Sequence, residues 1–217
     1  MKILICCECS GIVREAFRSL GHDAFSCDLK PAEDGSPHHF VGDIREVAAG
    51  GGWDLMGFHP PCTHLSVSGM HWNNRGRGWD GTRQALALVR WCMAHDCPWY
   101  LENPVSIIST RIRKPDQTIQ PYEFGEDASK KTCLWLNRLP LLIPTKRHPG
   151  RIVTDPRTGK QVERWGNQTD SGQNKLGPSE QRQTERSRTY PGIAAAMAAQ
   201  WSAWLAGQRI EQATLAL

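Results

Sequence analysis

Short apolar runs that alternate with helix-like segments constrain this 217-residue sequence more than any other feature. The first run covers residues 2–7, and an amphipathic segment follows the Ser10-Gly11 turn over residues 12–20. Further strand-like runs cover residues 24–27, 53–58, 99–101 and 133–136, and residues 82–94 have helical spacing. Such alternation predicts an α/β fold with a Rossmann-like, mostly parallel sheet and helices on both of its faces.

Polar or proline-rich residues follow the predicted strands. Because the carboxyl ends of parallel strands meet at one edge of a sheet, where ligands bind in open α/β folds, these residues are expected to form one constellation. Its members are Glu8-Cys9-Ser10-Gly11, Asp28, Asp43, Pro60-Pro61-Cys62 and Glu102-Asn103-Pro104.

The positive charge of the chain is concentrated in one segment. The net charge is +4, and residues 142–188 hold ten Lys and Arg against five Asp and Glu. This segment is rich in Pro, Gly, Thr and Gln, so we predict a small irregular basic insertion there. The predicted organisation is a core over residues 1–141, the insertion over 142–188, and a helix that returns to the core, with a tail, over 189–217.

Eight cysteines favour free thiols, a nucleophile or a metal site over disulfides, because the sequence lacks the features of a secreted protein. The apolar run at the N-terminus is too short for a signal peptide, and no apolar stretch approaches about 18 residues. We therefore expect a cytoplasmic protein without membrane contact. The cysteines lack zinc-site spacing, so no metal is expected. Loop and surface positions are predicted for His38, His39, His59, His64 and His71.

In their order along the chain these motifs resemble the cytosine-C5 methyltransferases that use S-adenosylmethionine. The resemblance covers roughly the first 136 residues and the stretch 186–200, which includes a loosely similar closing motif. It implies a class I methyltransferase type of fold, with S-adenosylmethionine as cofactor and S-adenosylhomocysteine as product. The short basic insertion resembles the much reduced target-recognition region of a compact, phage-type member.

Pro61-Cys62 is similar to the catalytic Pro-Cys of that family. The resemblance implies that the Cys62 thiolate adds to C6 of cytosine, which breaks the aromaticity of the ring and makes C5 able to attack a methyl group. A thiolate suits this role because it is strongly nucleophilic near neutral pH and is also able to leave again.

Glu102-Asn103-Pro104 resembles the family's Glu-Asn-Val. It implies that Glu102 delivers a proton to N3 of the base, a general-acid role that requires a raised pKa. A protonated Glu102 would complement cytosine, whose N3 is an acceptor, whereas N3 of uracil carries a hydrogen. Lys130 stands where the family carries Gln-x-Arg-x-Arg, and the resemblance assigns it to catalysis with Cys62 and Glu102, as a cation near base and phosphate.

The remaining site residues are also assigned through the resemblance. Asp28 would accept from the ribose hydroxyls and Asp43, in Gly-Asp-Ile, from the adenine amine. The predicted cofactor-binding residues are Glu8, Ser10, Gly11, Asp28, Asp43 and Pro60. The predicted substrate-binding residues are Pro61, Asn103, Pro104, Arg75, Arg77, Arg186 and Arg188.

The glycine-rich stretch with Trp72, Arg75, Arg77 and Trp79 is predicted to be a mobile loop that closes over a base.

Three functions remain open at this point. The insertion is too small for a target-recognition domain with its own core. Its basic charge favours DNA with a flipped cytosine as substrate, and the alternative is a free pyrimidine nucleotide such as dCMP. A catalytically inactive module that binds DNA or a nucleotide is the third reading.

Overall fold

A seven-stranded sheet forms the centre of the computed structural model, which describes residues 1–67, 72–177 and 182–215. Its strands are β1 (Lys2–Cys6), β2 (Asp23–Asp28), β3 (His39–Val41), β4 (Leu55–Phe58), β5 (Trp99–Pro104), β6 (Gln117–Ile119) and β7 (Thr132–Asn137). Their order across the sheet is β3-β2-β1-β4-β5-β7-β6. The strands are parallel apart from β7, which runs antiparallel to both β5 and β6.

Helices cover both faces of this sheet. They are α1 (Ile12–Arg18), α2 (Ile44–Ala49), α3 (Asp80–Cys92), α4 (Ile108–Arg111), α5 (Arg182–Ser187) and α6 (Pro191–Leu215). Together with the mostly parallel sheet they confirm the predicted α/β, Rossmann-like fold. Within the described ranges, no helix combines the length and the apolar character needed to cross a membrane.

Two separate apolar clusters hold the layers together. Because successive side chains of a strand point to opposite faces, Ile3 and Ile5 of β1 pack with α1 and α6, whereas Leu4 packs with α2, α3 and α4. Trp201 of α6 is fully buried in the first cluster. Burial on both faces explains why the strands read as continuous apolar runs in the sequence.

The antiparallel direction of β7 decides what lies beside the end of β5. The first residue of β7, Thr132, pairs with Pro104, the last residue of β5. Lys130, two residues before β7, therefore comes to the carboxyl edge of the sheet. The apolar pattern over 133–136 predicts the strand but not its direction, since a strand buried on both faces has the same pattern in either direction.

The basic insertion is more regular than its composition predicts. Residues 142–188 contain a hairpin of β8 (Arg151–Thr154) and β9 (Gln161–Arg164), joined by a turn with Gly159 at φ 69°. The amide N–H of Gly159 donates to the carbonyl of Asp155 at 2.8 Å, which closes the turn. Trp165, just after β9, stacks on Tyr122 of the core with 3.8 Å between ring centroids.

Ion pairs within the insertion engage four of its arginines. They are Arg147 with Glu163, Arg151 with Asp170, and both Arg157 and Arg164 with Asp155. These four side chains are directed at internal acids, so the net charge of the insertion is unchanged but fewer than its ten basic side chains are available to another molecule.

Candidate active site

The carboxyl ends of β4 and β5 lie side by side and carry the two residues predicted to do the chemistry. Phe58 pairs with Leu101 in the register of the two strands, which brings the segment after β4 next to Glu102. Cys62 begins a single 3-10 turn, and its carbonyl oxygen accepts from the amides of Leu65 at 3.0 Å and Ser66 at 2.8 Å. This turn fixes the half-buried Cys62 at the edge of the sheet.

The surroundings of Cys62 set the ionisation of its thiol. Burial raises the pKa of Cys62, and the negative charge of Glu102 raises it further, while Lys130 and Arg186 act in the opposite direction. The net effect is a pKa above the ordinary value of a cysteine. Formation of the thiolate is therefore favoured by any additional positive charge that arrives at this edge.

Glu102 is buried on β5 with 8% of its surface exposed. Its pKa is shifted in the direction opposite to the predicted one. Burial alone raises the pKa of this carboxyl, but the hydrogen bond from His59 and the charge of Lys130 act in the opposite direction, and the net effect is a lowered pKa. The raised pKa predicted for a general acid is therefore wrong for the protein without substrate. The reason is a histidine whose position in this network the sequence did not indicate.

His59 is the residue that the sequence interpretation misplaced. It was predicted to lie on a loop surface, but its side chain is only 9% exposed and its Nδ1 lies 3.5 Å from Oε2 of Glu102. Its Nε2 lies 2.9 Å from the hydroxyl of Tyr100, which is fully buried. The available signal was its place directly before Pro60-Pro61-Cys62, at the end of a buried strand.

Asn103 ties the two strand ends together instead of presenting its amide to solvent. Its Nδ2 donates to the carbonyl oxygen of Pro60 at 2.8 Å, and the residue is 1% exposed. This bond gives Asn103 a positioning role, and its substrate-binding role stays a prediction, since Oδ1 is buried without a hydrogen-bond partner among the described residues. Pro61 is exposed beside it, and Pro104 closes β5 opposite Thr132.

Lys130, predicted to be catalytic, and Arg186 and Arg188, predicted to bind substrate, have different surroundings in the structure. The Nζ of Lys130 donates to the carbonyl oxygen of Arg188 at 3.3 Å, and its charge acts on both Cys62 and Glu102. Arg186 is exposed, and its charge reaches Cys62. The guanidinium of Arg188 instead binds Oε2 of Glu33, with contacts of 2.6 and 3.1 Å, so it closes onto the segment after β2 rather than facing a substrate.

The turn after β1 is organised around Glu8. Oε1 of Glu8 accepts from the amide of Val13 at 2.7 Å and Oε2 from the amide of Arg14 at 3.2 Å. The hydroxyl of Ser10 donates to Oε1 at 3.3 Å. Glu8 is 6% exposed and its carboxylate satisfies the first amides of α1, so it shapes the turn predicted to bind the cofactor, and its own contact with a cofactor stays a prediction.

Gly11 is required by the conformation of the same turn. Its φ of 73° lies in the left-handed region, and a Cβ there would collide with the buried guanidinium of Arg14. Arg14 in turn binds the hydroxyl of Ser26 at 2.8 Å and the carboxylate of Asp34. The single glycine of this motif thus makes room for a buried arginine that the sequence interpretation did not identify.

Asp28 and Asp43 lie at the ends of adjacent segments on the same edge. The amide of Gly42 donates to the carbonyl of Asp28 at 2.9 Å, which holds the two segments together. Oδ1 of Asp28 accepts from the amide of Lys30 at 3.0 Å. Oδ1 of Asp43 accepts from the amide of Arg45 at 2.9 Å and caps α2. A carboxylate accepts at both oxygens, so each aspartate retains capacity for a ligand hydroxyl or amine.

In the segment after Cys62, residues 63–67 and those from 72 onward are described, and His71 lies outside the described residues. Trp72, Arg75, Arg77 and Trp79 are exposed there, as a base- or phosphate-contacting loop requires. The guanidinium of Arg77 lies 3.4 Å from the carbonyl oxygen of Thr63, so this segment stays close to the Cys62 turn.

Two further findings concern metal ligands and a cavity away from the site. Among the described residues, no group of His, Cys, Asp and Glu side chains has the arrangement that would hold a metal ion. A cavity of about 590 Å³ lined by Trp53, Pro98, Arg138 and Trp204 lies at the amino ends of β4 and β5, opposite the edge that carries Cys62.

Comparison with known proteins adds little to this geometry. No family model and no curated protein matches the sequence. Among solved structures the chain is similar to the crystal structure of a protein provisionally named a DNA modification methyltransferase, encoded within a prophage of E. coli, with 12% identity and a TM-score of 0.48. The match covers 69% of this chain and 52% of that one, so the chain spans about half the length of that structure. Similarity at this level carries no chemistry, and the function has to be inferred from the site.

Proposed function

We propose that this protein is an S-adenosylmethionine-dependent methyltransferase that modifies C5 of cytosine in DNA. The observation that carries the proposal is the coupling of Cys62 and Glu102 across the ends of β4 and β5. A thiol and a carboxyl that share one edge of the sheet, with Lys130 acting on both, are the groups needed for addition to a pyrimidine ring.

The acidic residues at the ends of β1, β2 and β3 suit a positively charged cofactor. Glu8 already occupies the N-terminus of α1, the place where a Rossmann fold usually holds a pyrophosphate. A dinucleotide is therefore disfavoured, whereas S-adenosylmethionine carries no pyrophosphate and would place its ribose hydroxyls at Asp28 and its adenine amine at Asp43. When bound, S-adenosylmethionine supplies an electrophilic methyl group on a positively charged sulfur.

In the proposed reaction Cys62 acts first as nucleophile and later as leaving group. Its thiolate forms a bond to C6, the electron pair of the C5–C6 double bond moves to C4–C5, and the pair of the C4–N3 double bond moves to N3, which takes up a proton from solvent at the Glu102 carboxylate. This addition makes C5 an enamine carbon. After C5 has gained a methyl group, it loses its proton to solvent, the C5–C6 double bond re-forms and the Cys62 thiolate leaves, and N3 gives back the proton that it took up.

Glu102 holds the polar edge of the base in this proposal. With its pKa lowered, the carboxylate accepts from the exocyclic amine of cytosine and stabilises the proton that N3 gains during the addition. An ionised Glu102 also complements the N3–H of uracil, which makes a uracil nucleotide a necessary comparison.

A labelled-methyl transfer assay with S-adenosylmethionine tests the proposal on duplex DNA, single-stranded DNA, dCMP and dUMP. We expect transfer to DNA by the wild-type protein and none by Cys62→Ser. The matched control is Cys97→Ser, which removes a half-buried thiol at the other end of the fold and should transfer normally. Transfer by Cys62→Ser would contradict the mechanism, and absence of transfer to every substrate would contradict the proposed function.

Covalent addition can be detected separately with DNA that contains 5-fluorocytosine. After methyl transfer the fluorine at C5 cannot leave as a proton does, so Cys62 stays attached to C6. Mass spectrometry of the digested complex should then show the nucleotide on the Cys62 peptide. An adduct on another cysteine would contradict the assignment of the nucleophile.

The paired arginines of the insertion favour a second candidate, a C5-methyltransferase of a free nucleotide such as dCMP. Arg147, Arg151, Arg157 and Arg164 contact internal acids, so four of the ten basic side chains of the segment are already engaged within the protein. Salt separates the candidates, because DNA binding weakens steeply with ionic strength and binding of one phosphate weakens much less. Transfer to dCMP without transfer to DNA would establish the second candidate.

A further inference from the structure

His59 connects two buried groups that lie on the same strand. Its Nε2 is 2.9 Å from the hydroxyl of Tyr100 and its Nδ1 is 3.5 Å from Oε2 of Glu102. The rings of His59 and Tyr100 meet edge to face, with 5.5 Å between centroids and an angle of 84°. The three side chains therefore form a continuous polar chain from the interior of the sheet to the candidate active site.

The two partners of His59 indicate which of its nitrogens carries the proton. A carboxylate only accepts hydrogen bonds, so Nδ1, which lies 3.5 Å from Oε2 of Glu102, is the nitrogen that carries the hydrogen of a neutral imidazole. Nε2 then accepts from the hydroxyl of Tyr100, which keeps its proton because burial raises the pKa of this phenol well above its ordinary value.

Local sequence makes this arrangement possible. Gly57 pairs with Tyr100 between β4 and β5, and a Cβ at Gly57 would collide with the Tyr100 hydroxyl. On its other side the Tyr100 ring packs on Trp201 of α6, with 4.8 Å between centroids. Tyr100 is thus held in place by a glycine and a tryptophan.

The second carboxylate oxygen of Glu102, Oε1, indicates where a bound molecule would donate a hydrogen bond. Oε1 is buried and has no hydrogen-bond partner among the residues that the structure describes. A buried carboxylate oxygen without a partner is costly unless a ligand or a water satisfies it. Because His59 occupies Oε2, Oε1 is the oxygen left for an N–H donor of a bound molecule.

We propose that His59 is the positioning residue for Glu102, and that the Tyr100–His59 pair determines that Oε1 is the oxygen that meets the substrate base. This inference rests on the proposed function for the identity of the base. It predicts that His59 acts only through Glu102 and that a hydrogen-bond donor at the position of Nδ1 is sufficient for this role.

The ionisation of Glu102 provides a readout that needs no activity. The titratable groups that face its carboxyl from the neighbouring elements are His59, Cys62, Lys130 and Cys133, with Tyr100 on its own strand. Of these, the hydrogen bond from His59 contributes most to lowering the pKa of Glu102. Removal of that donor should therefore raise the pH at which Glu102 titrates.

Two substitutions of His59 separate the two ends of the ring. The amide nitrogen of His59→Asn is placed near the former Nδ1 and keeps a donor for Glu102, whereas His59→Gln reaches toward Tyr100 and leaves Oε2 without one. Carbon-13 NMR of protein labelled at glutamate Cδ follows the titration, and Glu102→Gln identifies the signal. We expect an upward shift of roughly half a pH unit or more in His59→Gln and a near-normal midpoint in His59→Asn.

Tyr100→Phe is the variant to use if substitutions of His59 impair folding, because it keeps the ring on Trp201. Loss of the hydroxyl frees the proton of His59 to move to Nε2, so the Glu102 midpoint should again rise. An unchanged midpoint in His59→Gln or in Tyr100→Phe would overturn the inference, as would equal shifts in His59→Gln and His59→Asn.

Methyl transfer gives an independent test. We expect kcat to fall at least about tenfold in His59→Gln and to recover in His59→Asn, with a smaller change in KM. Equal loss of kcat in both variants would overturn the positioning role. If the wild-type protein transfers no methyl group, the proposed function fails, but the NMR titration still decides whether His59 positions Glu102.

Discussion

The side-chain amide of Asn103 donates a buried hydrogen bond of 2.8 Å to the carbonyl oxygen of Pro60. This bond joins the residue after Glu102 to the proline pair before Cys62, although 43 positions separate the two partners in the chain. The nucleophile and the carboxyl are therefore held by a direct contact between their own loops, in addition to the ladder between β4 and β5.

Asn103→Ala should lower activity more than its loss of stability explains. We expect unfolding in urea to show a loss of about 1–3 kcal/mol, because a buried hydrogen bond is removed. Methyl transfer should fall about 10- to 100-fold, because the Cys62 loop loses its position relative to Glu102.

Asn137→Ala is the matched control for this change. Asn137 lies on β7 and donates the same kind of hydrogen bond, to the carbonyl oxygen of Cys97 at 3.0 Å, but at the opposite edge of the sheet. It should lose stability and keep its transfer rate. Equal loss of activity in the two variants would show that Asn103 acts through stability alone.

Alkylation of Cys62 by iodoacetamide should be slow at neutral pH and accelerate with rising pH, because burial and the charge of Glu102 hold the pKa of the thiol above its ordinary value. Glu102→Gln removes a negative charge, lowers that pKa and should speed alkylation at pH 7.5. Lys130→Gln removes a positive charge and should slow it. Peptide mass spectrometry gives the rates.

Cys97 is the internal reference for that experiment. Its pKa is raised mainly by burial, and Glu102 is not among the groups that shift it. Its alkylation rate should therefore be the same in the wild-type protein, Glu102→Gln and Lys130→Gln. Parallel changes at Cys62 and Cys97 would indicate a general loosening of the fold instead of an electrostatic effect.

Gly57→Ala should destabilise the protein by about 1–3 kcal/mol, because the added methyl group collides with the fully buried Tyr100 hydroxyl. Gly207→Ala in α6 is the opposite case. A Cβ there meets no atom within 4 Å, and helix propensity favours alanine by about 0.5–1 kcal/mol. Thermal and urea unfolding of the two variants should therefore show shifts of opposite sign, and a neutral Gly57→Ala would contradict the packing described around Tyr100.

Acid should open the insertion hairpin before it unfolds the core. The amide of Arg157 lowers the pKa of Asp155, and the guanidinium of Arg147 lowers that of Glu163. Since both folded-state pKa values are depressed, their stabilising effect is complete above the ordinary carboxyl range and disappears as the pH falls through the depressed values.

Two indole N–H signals in NMR spectra report on this difference. The indole of Trp165 donates to the carbonyl oxygen of His148 at 3.1 Å in the insertion, and that of Trp201 donates to Pro140 at 3.0 Å in the core. The Trp165 signal should be lost at a higher pH than the Trp201 signal. Simultaneous loss would mean that the hairpin and the core unfold as one unit.

The main strands of the sheet and the helices α1 and α3 were predictable because their cause is local, whereas β6, α4 and the β8–β9 hairpin were not predicted. A buried strand such as Leu55–Phe58 and an amphipathic helix such as Asp80–Cys92 can be identified from the pattern of apolar residues over a short stretch of sequence. Parallel pairing then requires Cys62 and Glu102 to emerge at the same edge. The sequence by itself thus determined the α/β class and the candidate pair of reacting groups.

Only the tertiary structure decided which polar groups at that edge are already engaged. Glu8 accepts from the first amides of α1, Asn103 donates to Pro60, and Arg188 binds Glu33, a partner 155 positions away. His59 became part of the site, and the pKa of Glu102 fell instead of rising. The physical reason is that a strand pattern depends on neighbours in the chain, whereas hydrogen bonds and charge interactions depend on distances in space that only the folded chain defines.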